Sequence, residues 1–509
     1  MSFRVKSQIS AINNDHALIE LRFEMDDITR KVLDRLADIN QIPRCSKQEA
    51  KIAAWITHWA ADHNHTVHRD VSGNLCIKVP ATAGYEASPG VILQGHMDMV
   101  CEKTPASNHD FANDPVRLVH QGDWVTADET TLGADNGIAL AMAMVLAEDT
   151  SCVHPPLELL FTVDEESGLI GARDLDPDLI DGSILLNLDS EDEGIFTVGC
   201  AGGQETRIHL PVRLEPLPAE HRLYDLTVKG LQGGHSGIDI HKPRANANKL
   251  IIRTLAAIPV TAGIRIASLK GGTVHNAIAR DAVCRISAKA SEQAALRQVI
   301  AACRITFQNE HGTSEPSFDL RMEPCESSPA GTAAMTSSDT HQSIRLLTAL
   351  PHGVSRMSAE MDGLVETSNN LATIEFVPPQ KSLNVLSSQR SAVMSRLSEL
   401  TGCIESIASL AGATATNVNS YPTWEPNKSS PLLERCKNIY NNQFGKDPEV
   451  MAIHAGLECG LIGAKKKGMD MISFGPTIRF PHSPGEKLFV PSIARVWIFL
   501  IRLLESLAT

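Results

Sequence analysis

Four short segments place acids and a histidine where a parallel sheet would gather them. The apolar run GVILQG (Gly90–Gly95) leads into His96-Met97-Asp98. TLGADNG puts Asp135 just ahead of a helical pattern, LLFTV runs into Asp164-Glu165-Glu166, and SILLNL runs into Asp189. Buried parallel strands read as continuous apolar runs, and their carboxyl ends face one crevice. Three acids and a histidine converging there cannot all ionise unless a cation sits among them. One histidine with several carboxylates and no thiolate suits zinc or manganese. A second histidine has to come from elsewhere, and FPHSP offers His482. Five such ligands with one shared acid would hold two metals, an arrangement that polarises a carbonyl and activates water. Of the pair Glu165–Glu166, one acid can bind metal while its neighbour takes the water's proton.

Each residue also has an ordinary reading. Asp135 could cap a helix, and Glu165–Glu166 could form a solvated turn. His63, His65 and His68 are better explained by a half-exposed strand face than by a metal tract. Glu458, on the HAGLECG helix, is expected to cap or to form a salt bridge. No GxSxG or GxxxxGK[ST] pattern occurs, which weakens a serine hydrolase and a phosphate loop.

The elements that must position these residues alternate. EMDDITRKVLDRLADI, KQEAKIAAWITHWAADH and NGIALAMAMVLAED have helical spacing, with GVILQG, LELLFTV and SILLNL as buried strands. This alternation predicts an α/β layer with a largely parallel sheet. From about Arg207 the strands alternate in polarity, as in RLYDLTVKG and ATIEFVP, with helices such as RANANKLIIRTLAAI between them. After the turn-rich NSYPTWEPNKSSP the first style returns. The expected organisation is therefore a catalytic domain over 1–206 and 426–509, interrupted by an inserted α+β domain over 207–425, with two loosely similar strand-helix-strand halves as one reading of it. At 509 residues the chain exceeds what one core supports. Lys and Arg number 46 against 60 Asp and Glu, a balance that disfavours a general nucleic-acid binder. The eleven cysteines are scattered with no CxxC pair and read as reduced apolar fillers of a cytoplasmic protein. MSFRVKSQISAINND has no apolar signal core, and no stretch reaches the ~18–20 apolar residues of a membrane span.

The segments QGHMDMV, TLGADNGIA, FTVDEESGLIGA, NLDSEDEG, GGHSG, GGTVHNAIAR, SSQRS, HAGLECG and FPHSPGE, in this order, resemble the aminoacyl-histidine dipeptidases. These are also called cytosol non-specific or Xaa-His dipeptidases and belong to the dinuclear zinc aminoacylase and carboxypeptidase clan. The resemblance runs from about residue 20 to the end. It implies a zinc-peptidase-like mixed sheet flanked by helices, with the inserted domain serving as lid or dimerisation domain. It implies two divalent ions per chain, zinc by preference, with manganese or cobalt as alternatives. Asp135 would bridge them, followed by a cis peptide to Asn136 as in relatives. His96 and Asp189 would complete one site, and Glu166 and His482 the other. Asp98 would orient His96, and Glu165 would be general base and acid. His235 of GGHSG would stabilise the oxyanion, with Asn276 assisting. Arg390 would bind the dipeptide's free carboxylate, aided by backbone near Gly456.

The function so implied is metal-dependent hydrolysis of dipeptides, Xaa-His substrates such as carnosine included, by a metal-bridged water that Glu165 deprotonates. An N-acyl amino acid amidohydrolase of the same clan is the alternative, and a non-catalytic binding protein a third reading. The expected partners are small dipeptides and a second copy in a homodimer, without nucleic acid or membrane.

Overall fold

The computed structural model describes residues 27–325 and 332–508. Contacts divide the chain into two units. One runs up to Val198 and resumes over Pro426–Ala452 and from Leu457 onward; the other comprises Gly199–Glu425 and Ile453–Gly456.

The first unit is built on an eight-stranded mixed sheet. Its centre is parallel: Val91–His96 lies between Leu157–Thr162 and Ile184–Asn187, and the last of these pairs with Asp470–Ser473. Val91–His96 and Leu157–Thr162 are buried at every position, the signature of strands covered on both faces. Helix Ala134–Glu148 is buried at 13 of its residues, so it is apolar on all sides and its N-terminus is held deep in the layer. Helices Ala50–Asp62, Pro431–Phe444 and Val490–Leu507 bury one face each against the same core. A separate antiparallel sheet pairs Ile478–Arg479 with Lys487–Phe489, so that residues 480–486 form the hairpin loop carrying His482.

The second unit is an antiparallel nine-stranded sheet with helices Ala247–Ala257, Gln293–His311, Ser337–Ala349 and Met394–Leu410. Its core of alternating Leu, Ile and Val side chains is its own. Asn246 caps the first of these helices by accepting from Asn248 N and Lys249 N, which explains why RANANK starts a helix there. The mixed α/β class with an added α+β part is thus as expected.

Two expectations need correction. Cys45 and Cys101 are joined in a disulfide rather than reduced; their loops run side by side, with Cα atoms 5.7 Å apart, while the other nine cysteines stand outside any disulfide. Of the three histidines read as one strand face, only His68 lies in a strand, Thr66–Arg69. His63 ends helix Ala50–Asp62 and its Nδ1 lies 2.8 Å from Trp59 O, because the helical period runs three residues beyond the tryptophan.

Candidate active site

Strand geometry brings the acids together. His96 ends its strand, and two residues on, Asp98 folds back beneath it: His96 Nδ1 lies 3.0 Å from Asp98 O and 3.3 Å from Asp98 Oδ1. Asp98 is fully buried and accepts from Glu165 N (3.0 Å), Glu166 N (3.2 Å) and Ser46 Oγ (2.8 Å). One carboxylate therefore orients His96 and also fixes the backbone of the Glu165–Glu166 pair. Burial opposes its ionisation, yet His96 and these donors hold it down at about 2.

Asp135 turns its two oxygens to two histidines. Oδ1 is 3.2 Å from His96 Nε2, and Oδ2 is 3.1 Å from His482 Nε2. Asp189 Oδ1 lies 3.5 Å from His96 Nε2, and Glu166 Oε2 lies 3.1 Å from His482 Nε2. Two overlapping clusters result, His96–Asp135–Asp189 and Asp135–Glu166–His482, whose ligand atoms lie within 4.8 Å of one another in each. His96, Glu165 and Glu166 form a third such group. The Asp135–Asn136 peptide is cis. Asp164 and His482 have left-handed backbones, φ 51° and 59°, a conformation that aims the adjacent Glu165 and the His482 ring.

The charges fit a cation. Burial disfavours charge on His96, but Asp189, Asp135 and Asp98 overcome it and push its pKa well up. Hydrogen bonds to Asp135 and Glu166 raise His482 to about 11. Burial raises Asp189 to about 6 and drives Glu165 well above the carboxylate range, with Asp189 and Glu166 adding to it. Protonated histidines here stand where positive charge is needed. Asp189 Oδ1 and Glu166 Oε1 are buried without a hydrogen-bond partner, as open ligand positions would be. A donor set of two imidazoles and three carboxylates suits divalent zinc, manganese or cobalt.

Three further residues build this layer and carry no local signal in the sequence. Arg44, 1% exposed, donates to the carbonyls of Met97 (3.1 Å), Asp98 (3.0 Å) and Gly133, tying the His96–Asp98 turn to the turn before Asp135. Glu486 accepts from Leu132 N, Gly133 N and Asp135 N at 2.8, 3.0 and 3.2 Å, fixing the same turn from the His482 hairpin. Among the described residues Glu458 forms no ion pair, and its side chain caps no helix: it is buried under the strand ends and accepts from Gln94 Nε2 (2.5 Å) and Thr162 Oγ1 (2.8 Å). Their partners lie 53 to 364 residues away in sequence, which is why spacing did not expose them.

The remaining candidates belong to the second unit. His235 and Ala277 are paired across the short ribbon Gly234–His235 and Ala277–Ile278, which sets Asn276 beside His235; Asn276 O accepts from Ser236 N at 2.7 Å. His235 Nδ1 accepts from Gly237 N (3.2 Å) and Ile238 N (3.1 Å). That nitrogen is therefore unprotonated, and the neutral ring carries its proton on Nε2. Burial and the nearby Arg390 lower His235 to about 4, which keeps it neutral. Arg390 is 8% exposed on strand Ser382–Ser391, and its Nη1 donates to Tyr421 Oη at 2.6 Å. Gly456 follows two residues after His454, a buried ring that burial and Arg390 bring down to about 3 and whose Nε2 lies 2.7 Å from Ser368 Oγ.

Residues 92–506 match the model of peptidase family M20/M25/M40. The chain belongs to that family. It is 39% identical over 474 residues to the cytosol non-specific dipeptidase of Escherichia coli (strain K12), covering 93% of this chain and 97% of the relative. The crystal structure of aminoacylhistidine dipeptidase from Vibrio alginolyticus superposes with a TM-score of 0.84 at 39% identity, covering 94% of this chain and 96% of that one. Aminopeptidase PepT from Bacillus cereus shares the fold at 16% identity, TM-score 0.54, with coverage of 94% and 99%. The expected resemblance holds, and with it the assignment to the metallo-dipeptidases among hydrolases of peptide bonds. Among the described residues, no helix is long and apolar enough to cross a membrane.

Proposed function

We propose that this enzyme hydrolyses dipeptides with a free amine and a free carboxylate, Xaa-His dipeptides such as carnosine among them, in the cytoplasm. The observation that carries the reading is Asp135, whose two oxygens each face a histidine and thereby divide five ligands into two sites. His96, Asp135 and Asp189 would hold one divalent ion, and Asp135, Glu166 and His482 the other. Bound there, two divalent ions supply Lewis acidity toward the scissile carbonyl and toward water. Glu165, held by Asp98 through its backbone N–H, takes the water's proton on its carboxylate and returns it to the leaving amine. Burial raises its carboxyl well above the ordinary carboxylate range, with Asp189 and Glu166 beside it, so it holds a proton more readily than an exposed glutamate. His235 Nε2–H, fixed by the two amides on Nδ1, donates to the developing oxyanion, with Asn276 beside it. The buried guanidinium of Arg390 takes the terminal carboxylate, and the backbone around Gly456 assists.

Hydrolysis of carnosine and of N-acetylcarnosine, after chelation and re-addition of Zn²⁺ or Mn²⁺, tests the reading. Metal-dependent cleavage of carnosine with the acetylated form left intact is the expected result. Cleavage of the acetylated form alone would overturn it in favour of an N-acyl amino acid amidohydrolase.

A further inference from the structure

In the second unit, Arg390, Gly203 and Tyr421 lie on three adjacent antiparallel strands in one register. Arg390 is opposite Gly203, and Gly203 is opposite Tyr421. Directly opposed residues share a face of the sheet, so Arg390 and Tyr421 point the same way with a glycine between them. The glycine is required. A Cβ at position 203 would overlap the Tyr421 ring at Cζ, Cε1 and Oη. The ring lies across the bare backbone of Gly203, and this brings its hydroxyl 2.6 Å from Arg390 Nη1.

Arg390 is more than nine-tenths buried, its Nε has no hydrogen-bond partner, and among the described residues it pairs with no carboxylate. A buried guanidinium without a counter-ion is costly unless an anion completes it. The hydrogen bond to Tyr421 has one chemical consequence. A guanidinium only donates, so the phenol oxygen is the acceptor and its own proton is left for another acceptor. Burial raises the Tyr421 hydroxyl above its ordinary range, so that proton is retained.

We propose that the Tyr421 hydroxyl is a second donor to the substrate's terminal carboxylate, so that Arg390 and Tyr421, spaced by Gly203, together select a free C-terminal acid. This rests on the dipeptidase reading above and adds a specificity residue to it. The pair presents a planar cation and a neutral O–H side by side, which suits the two oxygens of a carboxylate and not the single carbonyl oxygen of a C-terminal amide.

The test compares kcat/KM for a dipeptide with that for the same dipeptide as its C-terminal amide, using the full-length metal-loaded enzyme. Tyr421→Phe removes the hydroxyl and keeps the ring. The acid-to-amide ratio should fall about tenfold to a hundredfold, the range for losing one hydrogen bond to a charged group, with the change in KM. Gly203→Ala, which displaces the ring, should lower the ratio to a similar extent, and the two changes together should add little. An unchanged ratio in Tyr421→Phe overturns the proposal. Arg390→Met then separates the two levels. If it lowers the ratio while Tyr421→Phe does not, the carboxylate reading of Arg390 stands and Tyr421 only props the guanidinium. If neither variant moves the ratio, that reading fails as well.

Discussion

Replacing Arg44 with methionine removes a buried side chain that ties the turn carrying His96 to the turn before Asp135. Three backbone carbonyls, of Met97, Asp98 and Gly133, each lose a charged donor in a buried place, although Asp98 O keeps His96 Nδ1 and Gly133 O keeps Gly137 N. Hydrogen bonds to a charged group contribute about 1.5–3 kcal/mol each, or roughly 4–9 kcal/mol for three. Against this stands the burial of the charge itself, which lowers the guanidinium by between two and three pKa steps, to about 10. At about 1.4 kcal/mol per pKa unit, relief of that penalty returns roughly 3 kcal/mol. The methionine is close to the stem in volume, so the cavity contribution is small. The net expectation is a loss of about 1–6 kcal/mol in the first unit. Because the lost bonds hold ligand-bearing turns, metal affinity should also fall, by about tenfold to a hundredfold, as for other groups that orient ligands. Arg44→Lys keeps the charge but cannot span three carbonyls, and should fall in between. Urea denaturation read by circular dichroism gives the first quantity, and metal titration against a chromophoric chelator gives the second. An Arg44→Met protein that denatures at the same urea concentration and binds metal as tightly as the parent would refute the reasoning.

Two further outcomes follow from the same structure. Reducing the Cys45–Cys101 bond, or replacing both cysteines with serine, should lower stability by up to about 4 kcal/mol, the loop-entropy value for a 56-residue separation, and thermal melts with and without dithiothreitol would detect it. His235→Ala should cut kcat about a hundredfold to a thousandfold while leaving the metal content of the protein unchanged, which metal analysis beside steady-state kinetics can verify.

Of the residues that spacing singled out for metal chemistry, His96, Glu166 and Asp189 meet because strand ends in a parallel sheet converge whatever the loops between them do, while His482 reaches them from the hairpin of a separate antiparallel sheet. Apolar runs ending in acids are local patterns, so they were readable. Arg44, Glu486 and Glu458 were not, since each acts on backbone or side chains remote in sequence and none sits in a periodic or turn pattern of its own. Glu458 shows the limit well: at the start of a helix an acid suggests a cap, and only the buried Gln94 and Thr162 beneath it reveal its role. The expectation of reduced cysteines misses the Cys45–Cys101 bond for the opposite reason. Sparse cysteines without a motif do suggest free thiols, and only the side-by-side course of the Cys45 and Cys101 loops overrides that. Tyr421 was invisible because its significance depends on a glycine one strand away and an arginine two strands away.

The most direct test of the mechanism is the Glu165→Gln enzyme, analysed for bound metal and for turnover of a dipeptide in the same preparation. Removing the carboxylate that moves the proton, while leaving every proposed ligand, should retain two metal ions per chain and lower kcat by about a hundredfold to ten-thousandfold. Turnover close to that of the parent enzyme with both metals bound would contradict Glu165 as the general base.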